Sequence, residues 1–147
     1  MKNLNQKECI KRFQQKGLKL TNQRLAVYEA LASTDKHPTA DQIYQQIKEK
    51  HPMISLNTVY NTLEVLKKIG EISQINTEVS ARFDANMAPH HHLVCLHCRK
   101  IEDFVDPALD QLQLTFSGNK DYFKVVGHRV EFQGYCKKCR QEVNKEQ

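Results

Sequence analysis

The spacing of apolar residues changes along the chain, and the changes divide it into three kinds of segment. Up to residue 70, apolar positions recur every three or four residues, which predicts short amphipathic helices. In "EISQIN" and "ARFDA", which flank the polar turn "TEVS", the pattern predicts two strands of a β-hairpin. From residue 85 onward, strand-like and helix-like segments are mixed. The chain is therefore predicted to begin with helices, pass through a hairpin and end in an α+β region.

The predicted helices carry their own start and stop signals. A first helix over residues 6–17 is followed by three more, and the cap and stop residues are Gly17, Thr21, Thr39, Ser55 and Gly70. Three short helices with tight connections are typical of a helix-turn-helix core, and a hairpin directly after them makes a winged helix. On pattern alone, a generic helical bundle with a surface hairpin remains the alternative.

The second half of the chain predicts strands around a compact turn. "HHHLVCL" and "KIEDFVD" indicate paired strands on either side of residues 95–99. "PALDQLQLTFSG" indicates a helix capped at Asp106 and stopped by Gly118, and "YFKVVGHRVEFQGYC" indicates one or two further strands. We therefore expect an N-terminal winged-helix domain over residues 1–84 and an α+β domain over residues 85–147, with residues 86–89 as the hinge.

Composition narrows the classes of protein that fit this pattern. The net charge is +5, and residues 1–84 hold 13 Lys and Arg against 9 Asp and Glu, which permits nucleic-acid binding but equally fits a solvated basic surface. The apolar runs are too short for a membrane span, and the start lacks the apolar stretch of a signal peptide. We therefore expect a cytoplasmic protein whose cysteines serve metal or redox chemistry rather than disulfides.

Two cysteine pairs predict a metal site. Cys95-x-x-Cys98 and Cys136-x-x-Cys139 are separated by 37 residues, so two tight turns can offer four sulfurs to one tetrahedral Zn²⁺. A pair of redox dithiols is the alternative. Cys9 lies on an apolar helix face and is interpreted as a buried structural thiol.

The histidines of "APHHHLVCLHC" predict a second site, because six ligands in one segment cannot all reach a single ion. His90 and His92 alternate along a strand and share a face, while His91 points away and His97 is interpreted as exposed. Two imidazoles need further ligands, and the candidates are His37, Asp84 and Asp103, each of which also has an ordinary structural interpretation.

The ordered motifs together resemble the ferric uptake regulator (Fur) family, and within it the peroxide-sensing PerR branch. They are "GLKLTNQRLAVYEAL", "HPTADQIY", "ISLNTVYNTLEVL", "RFD", "HHHLVC", "KIEDF", "HRVEFQGYC" and the two C-x-x-C pairs. The resemblance implies a homodimer with N-terminal winged helices and C-terminal α+β dimerisation domains. It also implies a structural zinc site at Cys95, Cys98, Cys136 and Cys139, and a regulatory Fe²⁺ or Mn²⁺ site at His37, Asp84, His90, His92 and Asp103.

Details within the motifs refine the resemblance. Asp103 stands where iron-sensing members usually carry Glu, and Asn61 where they often carry Arg; both favour the peroxide-sensing branch, although Glu102 is a second carboxylate beside Asp103. Arg99 stands where the family usually has Gly. A third metal site of the family is incomplete, because one position is Pro89; its remaining residues would be His91, Asp110 and His128.

The function that the resemblance implies is a repressor, not an enzyme, that binds a palindromic operator and is released when peroxide oxidises His37 or His90. The residues expected to contact DNA are Lys19, Arg24, Thr58, Tyr60 and Asn61, with Asn61 suited to adenine and Tyr60 alternatively packing partly in the core. An iron- or zinc-sensing repressor, a zinc enzyme and a zinc-stapled protein-interaction module are the competing hypotheses.

Overall fold

The computed structural model describes residues 6–111 and 126–143. The chain divides into two compact units, Met1–Met87 and Ala88–Gln147. This division falls within the segment 86–89 that the sequence nominates as the connection. The domain boundary at residue 84 itself stays a prediction.

The first unit contains four helices followed by a two-stranded hairpin. The helices are α1 Gln6–Gln15, α2 Asn22–Ala32, α3 Ala40–Ile47 and α4 Leu56–Lys68, and the strands are β1 Ser73–Asn76 and β2 Ala81–Asp84. The strands pair antiparallel, with Ser73 opposite Asp84. The predicted winged helix is confirmed, and α1 ends two residues earlier than the pattern predicts.

The predicted cap residues form the bonds that their chemistry allows. The Oγ1 of Thr21 accepts a hydrogen bond from the backbone N–H of Arg24, and the Oγ of Ser55 accepts one from Thr58 at 3.0 Å. Thr39 forms a reciprocal capping box with Gln42. These bonds satisfy N–H groups at the starts of α2, α3 and α4, which fixes where each helix begins.

An apolar core holds the first unit together. Helix α4 contributes Val59, Leu63 and Leu66, which are each 0% exposed, as their helical spacing predicts. Cys9 and Phe13 attach α1 to the same core. Cys9 is buried as predicted, and its burial, followed by the nearby carboxylate of Glu71, raises its pKa to about 12. It is therefore an unreactive thiol that packs as an apolar side chain.

The second unit is built on a three-stranded sheet with the order β4-β3-β5. The strands are β3 His91–Cys95, β4 Ile101–Phe104 and β5 Glu131–Gly134. Strand β3 pairs antiparallel with β4 and parallel with β5. This unit also contains two described helices, α5 Pro107–Asp110 and α6 Lys137–Val143. The predicted α+β class is confirmed.

Some predictions for the second unit extend beyond the described residues. Asp106 caps α5 as predicted, through its carboxylate and the backbone N–H of Ala108 at 2.9 Å. The predicted continuation of this helix to Gly118 lies mostly outside the described residues, as does the segment "YFKVV". Within the described ranges, no helix is long and apolar enough to span a membrane.

Candidate functional site

Four cysteines of the second unit converge in one cluster. Cys95 ends β3 and Cys98 lies in the turn that follows, while Cys136 directly precedes α6 and Cys139 lies in its first turn. Their sulfurs all lie within 4.8 Å of one another, and the Cys98 and Cys136 sulfurs are 3.8 Å apart. A Zn–S bond of about 2.3 Å places neighbouring sulfurs of a tetrahedron roughly 3.8 Å apart. The cluster therefore fits a tetrahedral zinc ion.

The acidities within this cluster also suit a bound cation. Burial raises the pKa of Cys95, but hydrogen bonds from backbone N–H groups of both cysteine turns outweigh burial and lower it to about 6. Burial, followed by hydrogen bonding with neighbouring thiols, raises the pKa of Cys139 to about 12. Sulfurs this close cannot all carry negative charge without a positive partner, and a divalent cation would allow all four to ionise.

A second group of ligands lies on the same sheet. The Nε2 atoms of His90 and His92 are 3.0 Å apart, and the Oδ1 of Asp103 lies 3.7 Å from the first and 3.5 Å from the second. Asp103 reaches this position because β4 pairs it directly with His92. Both imidazoles are buried. We call His90, His92 and Asp103 the sheet half-site.

The hydrogen bond of His90 determines which nitrogen it offers. Its Nδ1 lies 2.7 Å from the carbonyl oxygen of Ala88, which can only accept, so Nδ1 carries the proton and donates. The lone pair of a neutral His90 is then on Nε2, the atom that faces His92. A backbone carbonyl that orients an imidazole in this way is the usual support of a metal-binding histidine.

The two neighbouring carboxylates on β4 have different surroundings. Asp103 is beside the buried imidazoles, whereas Glu102 is exposed and forms an ion pair with Lys100. Because successive residues of a strand point to opposite faces, only one of the two can face the histidines. Of this pair, Asp103 belongs to the half-site.

A separate pair of ligands lies in the first unit. The Nε2 of His37 is 3.8 Å from the Oδ2 of Asp84, and both side chains are fully buried. We call His37 and Asp84 the wing half-site, because Asp84 ends the second strand of the wing.

The wing half-site depends on an uncommon backbone conformation. His37 has a φ of +50°, which is in the left-handed region. Hydrogen bonds from β2 hold this conformation: the Phe83 N–H donates to the carbonyl of Pro38 at 3.0 Å, and Arg82 Nη1 donates to that of His37 at 3.3 Å. Strain of this kind persists only where the surroundings enforce it, and it is frequent at functional sites.

The residues of the incomplete third site lie near one another, but each of its histidines forms hydrogen bonds with other protein groups. These residues are His91, Asp110 and His128. The Nδ1 of His91 accepts from the backbone N–H of Val130 at 3.2 Å, which leaves its proton on Nε2, 3.2 Å from the Oδ1 of Asp110. The Nε2 of His128 donates to the carbonyl of Leu109 at 2.6 Å. In this arrangement neither Nε2 presents a lone pair to an ion.

One grouping was missed by the sequence interpretation. His97 is exposed as predicted, yet it lies with Glu142 and Cys139 so that a ligand atom of each is within 4.8 Å of the others. The signal available in the sequence was the spacing of Cys139 and Glu142, which places them on one face of α6.

The outer face of α4 is a continuous polar stripe. Its exposed residues follow the helical period and are Asn57, Tyr60, Asn61, Glu64 and Lys68. Tyr60 is 45% exposed, so the alternative in which it packs partly in the core is wrong. The Tyr60 hydroxyl instead donates to the Oδ2 of Asp41, on α3, at 3.3 Å.

The remaining residues expected to contact DNA are also engaged locally. The Oγ1 of Thr58 is 2.9 Å from the Oγ of Ser55 within the cap of α4. The Nη1 of Arg24 donates to the carbonyl of Lys19 at 2.7 Å, and so fixes the turn that carries Lys19. A guanidinium has five N–H donors, so this bond leaves Arg24 able to contact a phosphate as well.

Comparison with known proteins places this geometry in context. A model of the Ferric uptake regulator family matches residues 15–133. The peroxide-responsive repressor PerR of Staphylococcus epidermidis is 41% identical over 138 residues, which cover 93% of this chain and 91% of that protein.

Solved structures of peroxide stress regulators and ferric uptake regulators are also similar to this chain. The peroxide stress regulator of Campylobacter jejuni has a TM-score of 0.71 and 32% identity, covering 92% of this chain and 100% of that chain. The ferric uptake regulator Fur of Helicobacter pylori has a TM-score of 0.77 and 29% identity, covering 91% of this chain and 90% of that chain. The latter is described as revealing three functional metal-binding sites.

Proposed function

Because the chain belongs to the ferric uptake regulator family of metal-dependent transcriptional regulators, which are not enzymes, we propose that it is a peroxide-released repressor. In this proposal, a homodimer loaded with Fe²⁺ or Mn²⁺ binds a palindromic operator in the cytoplasm. Oxidation of a ligand histidine then releases the DNA. The support comes from three features of the molecule: the outer face of α4, the exposed face of the sheet, and the two half-sites.

The outer face of α4 supports the DNA-binding part of the proposal. Its buried side is fixed in the core, so the polar stripe is held rigidly outward, as a recognition helix requires. Asn61 lies in this stripe, and its amide can form two bonds with the N6 and N7 of adenine. We propose that Thr58, Tyr60 and Asn61 enter the major groove, while Lys19 reaches the minor groove and Arg24 a phosphate.

The exposed face of the second unit supports a homodimer. Leu93, Phe132 and Tyr135 are each 42–50% exposed and lie around one shallow pocket. Among the described strands, β5 lies at the edge of the sheet. An apolar face beside an edge strand favours pairing with another chain, and a second copy related by a two-fold axis matches a palindromic operator.

The half-sites support regulation by metal. The sheet half-site offers two imidazole nitrogens and a carboxylate, and the wing half-site offers one of each. We propose that one ion takes all five, since neither half-site alone completes a coordination shell. Nitrogen and oxygen ligands without thiolate favour Fe²⁺ or Mn²⁺. An ion bound by both units favours one arrangement of them, and so shifts the equilibrium toward the DNA-binding form. The four cysteines are proposed to hold a separate, structural Zn²⁺.

The single observation that carries the sensing proposal is the orientation of the buried His90, whose Nε2 lone pair faces His92. Bound Fe²⁺ would promote cleavage of the O–O bond of peroxide, so that one oxygen atom adds to a ring carbon of the histidine, which is oxidised by two electrons, and the other leaves as water. Oxidation of the His37 or His90 imidazole removes the basic nitrogen that each contributes, and the five-ligand set is lost. Two of the similar proteins are named for their response to peroxide.

The test compares DNA binding of the Fe²⁺ and Mn²⁺ forms, each with and without peroxide, followed by peptide mass spectrometry. We expect peroxide to release DNA from the Fe²⁺ form alone and to add one oxygen atom to the peptide with His37 or His90. His51→Ala is the matched control, because His51 lies outside both half-sites and should leave metal-dependent binding unchanged.

Two outcomes would contradict the proposal. Release without any oxygen added to His37 or His90 would exclude the oxidation mechanism. Release by chelator but not by peroxide would instead establish the alternative, an iron- or zinc-sensing repressor.

A further inference from the structure

The hydrogen bond between Tyr60 and Asp41 joins the outer face of α4 to the first turn of α3. The Tyr60 hydroxyl donates to the Oδ2 of Asp41 at 3.3 Å, and both side chains are exposed. The bond lies entirely within the first unit, on the surface that we propose faces DNA.

This bond determines what the Tyr60 hydroxyl can still do. A phenol has one proton to donate and two lone pairs that accept, whereas an ionised carboxylate only accepts. The hydroxyl proton of Tyr60 is therefore used in the bond to Asp41. Toward any other partner, the hydroxyl oxygen can act only as an acceptor. Desolvation, followed by the charge and hydrogen bond of Asp41, raises the pKa of Tyr60, so the phenol keeps this proton at neutral pH.

An acceptor beside a carboxylate is poorly suited to a phosphate, which is itself an acceptor and negatively charged. In the major groove, the donors are the exocyclic amino groups of adenine and cytosine. We propose that Asp41 is a positioning residue: it binds the proton of Tyr60, so that Tyr60 accepts a hydrogen bond from a base amino group and does not bind the backbone. This inference rests on the proposed entry of α4 into the major groove.

Asn61, the adjacent residue on the stripe, provides a contrast. Its amide both donates and accepts, so it can form a two-bond contact with adenine on its own. Tyr60 can form one hydrogen bond with a base, and Asp41 determines that the Tyr60 hydroxyl accepts in that bond. The expected contribution of the pair to operator discrimination is about five- to tenfold, the usual size of one hydrogen bond.

The experiment uses the full-length, Mn²⁺-loaded protein and two probes. One is a duplex that the wild-type protein selects from a random-sequence pool, and the other is an unselected duplex of the same length. We expect Asp41→Ala and Tyr60→Phe each to lower the ratio of selected to unselected affinity by about five- to tenfold, because alanine has no oxygen to accept the Tyr60 proton. The double variant should lose no more than either single variant, because Asp41 acts through Tyr60.

Two further measurements separate this role from a structural one. Absorbance titration of the tyrosines should show that Asp41→Ala lowers the pKa of Tyr60. Replacing adenine by purine, or cytosine by 2-pyrimidinone, removes the amino group. At one position of the selected duplex, this replacement should lower the affinity of the wild-type protein about as much as Tyr60→Phe does. The same replacement should not change the affinity of the Tyr60→Phe variant.

Asp35→Ala is the matched control for loss of an exposed carboxylate in the first unit, and it should not change the affinity ratio. If Asp41→Ala lowered the ratio equally in the Tyr60→Phe background, Asp41 would act independently of Tyr60 and the inference would be wrong. If Tyr60→Phe lowered the affinity for both probes equally, Tyr60 would contact a phosphate, and the inference would also be wrong. Failure of the proposed function is distinguishable, since the wild-type protein would then select no sequence.

Discussion

The first unit buries a continuous apolar core, whereas the side chains that the structure describes as buried in the second unit are mostly histidines and cysteines. Aliphatic residues from four helices and the wing form the core of the first unit. In the second unit, the buried side chains among the described residues are His90, His91, His92, Val94, Cys95, Ile101 and Cys139.

This difference teaches that the two units draw their stability from different sources. Apolar burial stabilises the first unit by the hydrophobic effect, independently of any ion. Buried imidazoles and thiols cost free energy unless they are hydrogen-bonded or bind a metal. Among its described residues the second unit buries few aliphatic side chains, so we expect its stability to depend on ligation, with the free energy of metal binding contributing to folding.

The largest test of this comparison is Cys139→Ser. Loss of one of four sulfurs should abolish tight zinc binding, which is worth about 10–16 kcal/mol in small zinc domains. We expect the second unit to lose its hydrogen-exchange protection while the first unit keeps its own. Elemental analysis and exchange mass spectrometry measure both.

Cys9→Ala is the control for this experiment, because Cys9 lies in the other unit and outside the cluster. It should retain a full equivalent of zinc. Protected amides over residues 88–111 in a zinc-free Cys139→Ser protein would show that the second unit does not need the metal.

The next test acts on the first unit. Leu63→Ala removes a fully buried side chain and should lower the free energy of unfolding of that unit by about 2–5 kcal/mol. Zinc content should not change. Urea denaturation monitored by hydrogen exchange gives the value for each unit separately. Val79→Ala is the matched control, since Val79 is 74% exposed and its truncation should cost within about 0.5 kcal/mol. A lowered zinc content in Leu63→Ala would mean that the two units do not behave independently.

The smallest effect is expected at Arg99, in the first cysteine turn. Its φ of +61° is left-handed, which is unfavourable for a residue with a Cβ and acceptable for glycine. Arg99→Gly should therefore stabilise the second unit by about 0.5–1 kcal/mol, after the greater entropy of glycine in the unfolded chain is subtracted. Arg99→Ala removes the guanidinium but keeps the Cβ, so thermal unfolding should show no gain. Equal effects of the two variants would exclude backbone strain as the cause.

Much of the fold could be predicted because it depends on neighbours in the sequence. Thr21, Thr39 and Ser55 begin their helices through bonds that span three residues. The buried face of α4 follows from the period of the helix, and the two C-x-x-C turns indicate a four-sulfur cluster because each turn brings its own sulfurs together.

The proposed metal ligands could be predicted only in part from the sequence. The alternation of His90 and His92 predicts a shared face, and the sheet confirms it, but the sequence left Glu102 and Asp103 both open. Pairing of β4 with β3 places Asp103 against His92. The choice depends on the register between strands, which local pattern does not contain.

The sequence by itself determined the four helices of the first unit, the starts of α2, α3 and α4, the two classes of metal ligand and the family to which the chain belongs, because each depends on residue type and short-range spacing. Tertiary structure alone decided the proton position on His91, the left-handed backbone of His37 and the bond from Tyr60 to Asp41. Each of these requires a partner that the fold supplies, which lies 39 residues away for His91, 45 for His37 and 19 for Tyr60. Hydrogen bonds act over about 3 Å. Only the folded chain brings such partners within that distance.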